Sequence, residues 1–400
     1  MSRRVEDFFE GAAGKYLSAV EANPVASNQH EFNGVSALRG LLGDPPERGV
    51  IFPAKFIFLD DEIEPEVAES TVTWYDARAR HPTRSECRLY YPSNYVMDGA
   101  GEGDYMVIAK LRQGVDAEAE VVVIITPGPS STAAQLQVLF GLEPSNRLDV
   151  ETTPSGVDLS LTSRALVESL GYEVADDRDH LLGVMVDAFG DAFPPSGEFS
   201  TFARRQVAEA DPVGEPDTAL VAWMKEEEAL FRTFERHLLE ARLQGLVGDV
   251  DHVLELAMQT FQRRRARAGK ALENHVSAIL QSHNVTFASQ AFTEGRKKPD
   301  FLFPGAVEYH DHTFPAESLR MLAVKTTCKD RWRQVLSEAD RVKRKHLLTL
   351  EAPISSTQTR EMASRDLVLV VPLELHHLFD FQQQMSLLSL GTFLDEVGIS

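Results

Sequence analysis

The chain has 400 residues, 43% hydrophobic and 25% charged, which fits a soluble globular protein of about two ordinary domains. No apolar run approaches the roughly 20 residues of a membrane span, and the opening MSRRVEDFFEGAAGKY is charged throughout, so neither a membrane segment nor a signal peptide is expected. Cys87 and Cys328 are the only cysteines and lack metal-type pairing, which points to a reducing cytoplasm rather than a disulfide framework. The net charge of −21 argues against a polyanion partner as an average, but the charge is unevenly spread. Residues 251–350 hold 17 Lys and Arg against 11 Asp and Glu, whereas residues 1–250 hold 21 against 43. Binding of a polyanion depends on local field, so the basic window is either a nucleic-acid footprint or a solvated charged face.

Residues 14–170 read as short strands with turns between them. VIFPAKFIFL (50–59), STVTWYDARA (70–79), CRLYYP (87–92), YMVIAKL (105–111) and EVVVIIT (120–126) are rich in β-branched and aromatic side chains, and Gly, Pro, Asn or Asp clusters separate them. The pattern predicts a closed or partly closed β-barrel-like domain with one or two helices. A turn-rich stretch with DDRD and FPPSGEFS follows, and it predicts a multidomain chain: residues 1–170, a linker over 171–195, and a second domain over 196–400. From about Asp217 the pattern turns helical, with Leu220, Trp223, Leu230, Phe234, Leu238 and Leu239 along one face. One or two more helices run to about residue 283, with room for a break at Gly269. Short buried strands come next: PDFLFP (299–304), RMLAVKTT (320–327), HLLTL (346–350) and LVLVVP (367–372). Strands alternating with helices predict an α/β core around a central mixed sheet.

The sharpest chemistry lies in Pro299-Asp300, Leu322-Ala323-Val324-Lys325 and Glu338. Phosphodiester hydrolysis calls for a hard divalent cation such as Mg²⁺, which takes one or two carboxylates and keeps several waters. The cation polarises the phosphate and acidifies a bound water, and a lysine can orient that water and offset charge on phosphorus. The PD…(D/E)xK pattern usually places its second acid two residues before the lysine, and here that residue is Ala323. Glu338, expected on the following helix, is the candidate replacement, and Glu273 in GKALENH could add a further carboxylate through water. On spacing alone the motif is weak, and a turn aspartate with a satisfied strand lysine is the better explanation of the pair. No GxxxxGK[ST] or dinucleotide fingerprint is present, so nucleotide hydrolysis and redox chemistry are unsupported.

RRRARAGKALENH, QAFTEGRKKPDFLFPGAVEYHD and FPAESLRMLAVKTTCKDRWRQVLSEAD closely resemble the catalytic domain of the EcoRII family of type II restriction endonucleases. The similarity runs from about residue 250 to 375 and, more weakly, back to about 185. It implies a restriction-endonuclease-like fold of the PD-(D/E)xK kind, in which the second acid has moved past the strand. It implies Asp300, Lys325 and Glu338 as the catalytic set, with Asp300 and Glu338 on Mg²⁺, Glu273 as accessory, and Tyr309 as either an active-site neighbour or a packing residue. Lys329, Asp330 and Arg331 fall where relatives read the C·C/G·G part of the site, and these residue types can donate to guanine or accept from cytosine. Arg263, Arg264, Arg265, Arg296, Lys297 and Lys298 are expected on phosphates, which positions without specifying. Some relatives extrude central bases and fill the gap with a side chain from an upstream helix; Trp223 is a candidate for that wedge, with a core tryptophan as the alternative.

The N-terminal part resembles, mostly in pattern, the family's effector-binding domain, a DNA-binding pseudobarrel. NQHEFNG (28–34) and PTRSECR (82–88) fall at its two recognition segments, and His30, Arg84, Glu86 and Arg88 match residues that contact effector DNA there. Two lysines of the second segment are Pro82 and Cys87 here. The resemblance as a whole implies a cytoplasmic homodimeric type II enzyme, IIE-like, that cuts double-stranded DNA at a short CC/GG-flanked site of the CCWGG or CCNGG type. It also implies an N-terminal domain that binds a second site and autoinhibits by occlusion, a partner DNA methyltransferase, and no membrane association. Two other readings compete: a modification-dependent nuclease whose N-terminal domain senses altered cytosine, and a DNA-binding regulator that does not cleave.

Overall fold

The structure is a computed structural model and describes residues 4–22, 30–81, 83–152, 159–174, 178–244, 250–328 and 331–398. The chain divides into two compact units, Ser2–Val174 with Pro353–Thr357, and Ala175–Ala352 with Gln358–Ser400.

The N-terminal unit is built on an eight-stranded sheet. Its strands are β1 (Phe9–Tyr16), β2 (Glu31–Phe32), β3 (Val50–Phe58), β4 (Glu66–Asp76), β5 (Cys87–Tyr90), β6 (Tyr105–Leu111), β7 (Val121–Thr126) and β8 (Asp149–Glu151). They lie in the order β2-β5-β4-β3-β7-β6-β1-β8. Neighbours pair antiparallel except β3 and β7, which run parallel, so the sheet is mixed. Every residue of β7 is buried. Val122 and Ile124 join one apolar cluster, while Val121, Val123 and Ile125 join a second. Side chains alternate faces along a strand, so an unbroken β-branched run is what a strand covered on both sides requires. Helices α1 (Ser131–Phe140) and α2 (Leu161–Ser169) contribute to the first cluster. The Ser130 side chain caps the start of α1 by accepting from Ala133 N, and left-handed Gly141 (φ 68°) ends it.

In the C-terminal unit, α3 (Asp179–Phe189), α4 (Ser196–Gln206), α5 (Pro216–Gln244) and α6 (Val250–Ser282) precede the sheet. Residues 171–195, expected as a linker, instead carry α3, whose Met185 is fully buried in one cluster with Phe199, Phe231 and Phe234. The apolar periodicity of α3 was masked by the Asp and Gly residues around it. No break occurs at Gly269: α6 runs through it. A mid-helix glycine costs about 1 kcal/mol relative to alanine, and burial of Leu272, Val276, Ile279 and Leu280 just beyond it offsets that cost.

The second sheet has the order β13-β12-β11-β10-β9, with β9 (Ala288–Ser289), β10 (Phe301–Phe303), β11 (Arg320–Lys325), β12 (Lys345–Thr349) and β13 (Leu367–Val370). β9, β10 and β11 pair antiparallel, and β11, β12 and β13 pair parallel. This is the mixed central sheet expected from the alternation of strands and helices. Phe301 lies opposite Leu322, which brings the start of β10 beside the end of β11.

Candidate active site

Asp300 opens β10 and Lys325 closes β11, and antiparallel pairing carries both side chains to one end of the sheet. Lys325 Nζ donates to Asp300 Oδ2 at 2.8 Å, and the Val324 main-chain N–H donates to the same oxygen at 2.8 Å. Asp300 is only 7% exposed, so the strand edge fixes its carboxylate. Oδ1 is left to accept from Gln290 Nε2 at 3.0 Å. Ala323, where the second acid of the usual pattern would stand, is fully buried. A carboxylate there would be desolvated, so the charge has to come from another element.

Glu338 provides a carboxyl from outside the strand, though not from the helix expected for it. Helix α7 (Arg331–Val335) ends early, and Glu338 sits in the turn beyond it. Its Oε2 is buried and accepts no hydrogen bond. Burial raises its pKa above the usual carboxylate value; the positive charge of Lys325 opposes this and the negative charge of Asp300 adds to it, with Lys345 and Lys297 also opposing. Lys325 and Asp300 thus act electrostatically on Glu338. A buried carboxylate oxygen without a donor is costly, so Oε2 is an oxygen that a cation could take up.

Two lysines hold that turn. Lys345 Nζ donates to Leu336 O at 2.8 Å and to Glu338 O, and Lys297 Nζ donates to Ser337 O at 2.6 Å. Three successive carbonyls are therefore satisfied by ammonium groups. Lys345 is 7% exposed, and burial lowers its pKa. Neither its role nor that of Gln290 is visible in a motif. The one sequence signal at Lys345 is a lysine opening a strand that is buried throughout. Tyr309 is also part of this support. Its hydroxyl donates to Glu294 at 2.5 and 2.6 Å and accepts from Arg341 N, while Glu294 in turn accepts from Asp340 N at 3.2 Å. Tyr309 is buried, which raises its pKa along with the Glu294 contact, so packing is the role its geometry supports. Glu273, on α6, accepts from Lys270 Nζ at 2.7 Å, with Gln290 Nε2 at 3.5 Å.

The remaining expected residues divide. Lys329 and Asp330 lie outside the described residues, and Arg331 is exposed at the start of α7. Arg264 is not presented for a phosphate: its Nε donates at 2.6 Å to Glu235, which is 1% exposed. Arg263 lies over the Phe193 ring at 5.6 Å, and the side chain of Arg265 is outside the described residues. Lys297 is committed to the Ser337 carbonyl. Arg296 and Lys298 are exposed, with Lys298 Nζ 4.2 Å from the Phe292 ring centre. Trp223, a candidate wedge, is instead a core residue at 5% exposure. It packs beside buried His275 at 5.6 Å and Arg204 at 5.7 Å, so it cannot project into a duplex from this position. Among the described residues, no group of three or more His, Cys, Asp and Glu gathers as metal ligands. A hydrated cation needs only one or two carboxylates.

In the N-terminal unit, Glu86 and Arg88 are tied into a chain of ion pairs. Arg88 donates to Glu86 at 2.7 Å and to Glu31 at 2.6 Å, and Arg78 reaches Glu86 at 2.6 Å. Tyr75 donates to Glu31, and burial first, then Glu31, pushes its pKa up to about 12. His30 packs edge-on against Tyr91, and Arg84 is exposed. Asn28, Gln29 and Pro82 of the two expected recognition segments lie outside the described residues. A contact missed in the sequence holds the first segment: buried Lys15 and Glu21 pair at 2.5 Å and grip Asn33 through its O at 2.7 Å and its N at 2.9 Å.

Residues 231–394 match the family described as EcoRII C terminal. The chain is 46% identical over 185 residues to the type II restriction enzyme EcoRII of Escherichia coli, a stretch covering 46% of each protein. It is 26% identical over 133 residues to the type II restriction enzyme SsoII of Shigella sonnei, covering 31% of this chain and 43% of that one. The matched stretch thus spans a little under half the length of either relative. Among solved structures, metal-depleted Ecl18kI with uncleaved, modified DNA aligns with a TM-score of 0.45 at 19% identity, over 55% of this chain and 83% of that one. A restriction endonuclease PspGI–substrate DNA complex aligns with a TM-score of 0.42 at 16% identity, over 51% and 92%.

Proposed function

We propose, on the match of residues 231–394 to the EcoRII C-terminal family, that this chain is a type II restriction endonuclease that cuts both strands of a short DNA site. The single observation that carries the reading is the Asp300–Lys325 pair together with the buried, unpartnered Oε2 of Glu338.

A hard divalent cation fits these residues, because Glu338 Oε2 and Asp300 Oδ1 are carboxylate oxygens, and the first has no other partner. Asp300 and Glu338 would hold Mg²⁺, with Glu273 as an accessory carboxylate. When bound, the cation supplies Lewis-acid polarisation of the phosphate and a more acidic water. The chain's own residues do the rest. The Val324 N–H and Lys325 keep Oδ2 of Asp300 occupied, which leaves Oδ1 as the oxygen that would face the cation. Lys325 carries positive charge at the strand end, where it orients the attacking water and offsets charge building on the phosphate. The lysine-held turn keeps Glu338 at the site although it stands on no strand.

Lys329, Asp330 and Arg331 would read base edges, and Arg296 and Lys298 would contact phosphates. A CC/GG-flanked site, 5′-phosphate ends and homodimeric action, one strand per copy, complete the reading, with a cytoplasmic location and a cognate methyltransferase. The N-terminal unit would be the effector-binding pseudobarrel, with His30 and Arg84 as its accessible contacts, and would restrain cleavage. Plasmid cleavage tests the core claim. Linear product is expected with Mg²⁺ and none with EDTA, and Asp300→Ala and Lys325→Ala should each lose at least about 1,000-fold in rate. Full cutting by either variant would overturn the assigned centre.

A further inference from the structure

We propose that Gln290 is a positioning residue for the cation site: its amide donates to the free oxygen of Asp300 and links that carboxylate to Glu273. The inference rests on the nuclease reading above and assigns a residue that the PD…K pattern does not include.

Gln290 directly follows β9, and the register places it opposite Asp300, one step beyond the Ser289–Phe301 pair. Its main-chain N–H donates to Asp300 O at 3.1 Å, while its side-chain Nε2 donates to Asp300 Oδ1 at 3.0 Å. The same nitrogen lies 3.5 Å from Glu273 Oε2. One residue therefore holds Asp300 at both main chain and carboxylate. Its backbone is left-handed, with φ 52°, a conformation that costs a residue other than glycine energy.

The amide is suited to this position on chemical grounds. Asp300 Oδ2 is taken by Val324 N and Lys325 Nζ, so Oδ1 is the oxygen left for a cation. Without a donor on Oδ1, the carboxylate could swing about the Oδ2 contacts. A cationic donor in place of Gln290 would compete with the metal, and an acid would repel both Asp300 and Glu273. A neutral donor fixes the oxygen and leaves its remaining lone pair available. Groups that orient a ligand carboxylate in this way typically change metal affinity by about 10- to 100-fold when removed.

The test is binding of Mn²⁺ by the full-length protein with a duplex carrying a cleavage-resistant linkage, read by calorimetry or electron paramagnetic resonance. Gln290→Met keeps the bulk and removes the donor; Gln290→Ala removes both. Both should weaken Mn²⁺ binding about 10-fold or more, with a fall in melting temperature in EDTA that is the same for both, because both lose the donor to Asp300 and Gln290 itself is exposed. Cleavage by both should recover as Mg²⁺ is raised. Wild-type affinity in Gln290→Met would overturn the inference even if Gln290→Ala is weak, since bulk alone would then matter. Asp300→Ala runs beside them. If it binds Mn²⁺ and cuts as the wild type does, the nuclease centre itself is misassigned, and the Gln290 inference falls with it.

Discussion

At the scale of single residues, the site is defined by what its carboxylates lack. Asp300 has a full set of protein partners on one oxygen, and Glu338 has none on its buried oxygen. The raised pKa of Glu338, caused first by burial and resisted by Lys325, has a definite consequence for stability. A carboxyl whose folded pKa is raised holds its proton more tightly when folded than when unfolded. Its ionisation therefore removes stability as pH climbs from the ordinary carboxylate value of 4.5 through the raised folded value. Below that window nothing is lost. In EDTA, Glu338→Gln should melt like the wild type near pH 4 and higher than it near pH 7, by about 2–4 °C for each kcal/mol of relieved desolvation. Added Mg²⁺ should stabilise the wild type by mass action and leave Glu338→Gln unmoved. Thermal melts across pH, with and without the cation, measure both. A lower melting temperature for Glu338→Gln at neutral pH would contradict the strained-carboxyl account.

At the scale of elements, α5 and α6 carry some polar and aromatic groups that belong to packing rather than to a ligand. Arg264 neutralises Glu235, which is 1% exposed, and Trp223 fills space beside buried His275. Removing one member of a buried pair leaves the other charge without compensation, so Arg264→Ala should destabilise the C-terminal unit by about 3 kcal/mol. Trp223→Ala opens a cavity and should cost about 3–5 kcal/mol. Chemical denaturation reads both losses. A fluorescent base at the centre of the DNA site should respond equally to wild type and Trp223→Ala at temperatures where both are folded. A lost signal there would restore the wedge. The turn after α7 makes the complementary point: its polar groups serve the site, because Lys297 and Lys345 satisfy the carbonyls that place Glu338.

At the scale of the whole molecule, a net charge of −21 coexists with a proposed DNA ligand because the basic residues concentrate in one window. Only part of that window is open to phosphate, since Arg264 and Lys297 are already engaged. Affinity for DNA should fall steeply with salt, and Arg296→Ala should flatten the log–log slope by about 1 without changing sequence preference. An unchanged slope would remove Arg296 from the phosphate contacts. The sequence by itself marked β3 to β7 and β10 to β13, because runs of β-branched and aromatic side chains between turn residues have few other solutions, whereas β1, β2, β8 and β9 are too short or too rich in small and charged residues to show. It also singled out Asp300 and Lys325 as candidates, and the antiparallel pairing of β10 with β11 brings those two side chains into contact. Tertiary structure alone decided the rest. Periodicity marks a buried face but not what lies against it, so Trp223 and Arg264 resolved as core only once the helices were packed. Strand register placed Gln290 opposite Asp300, ten residues away in sequence, and a turn rather than a helix delivered Glu338. Such contacts arise from pairing and burial across elements, which no local pattern encodes.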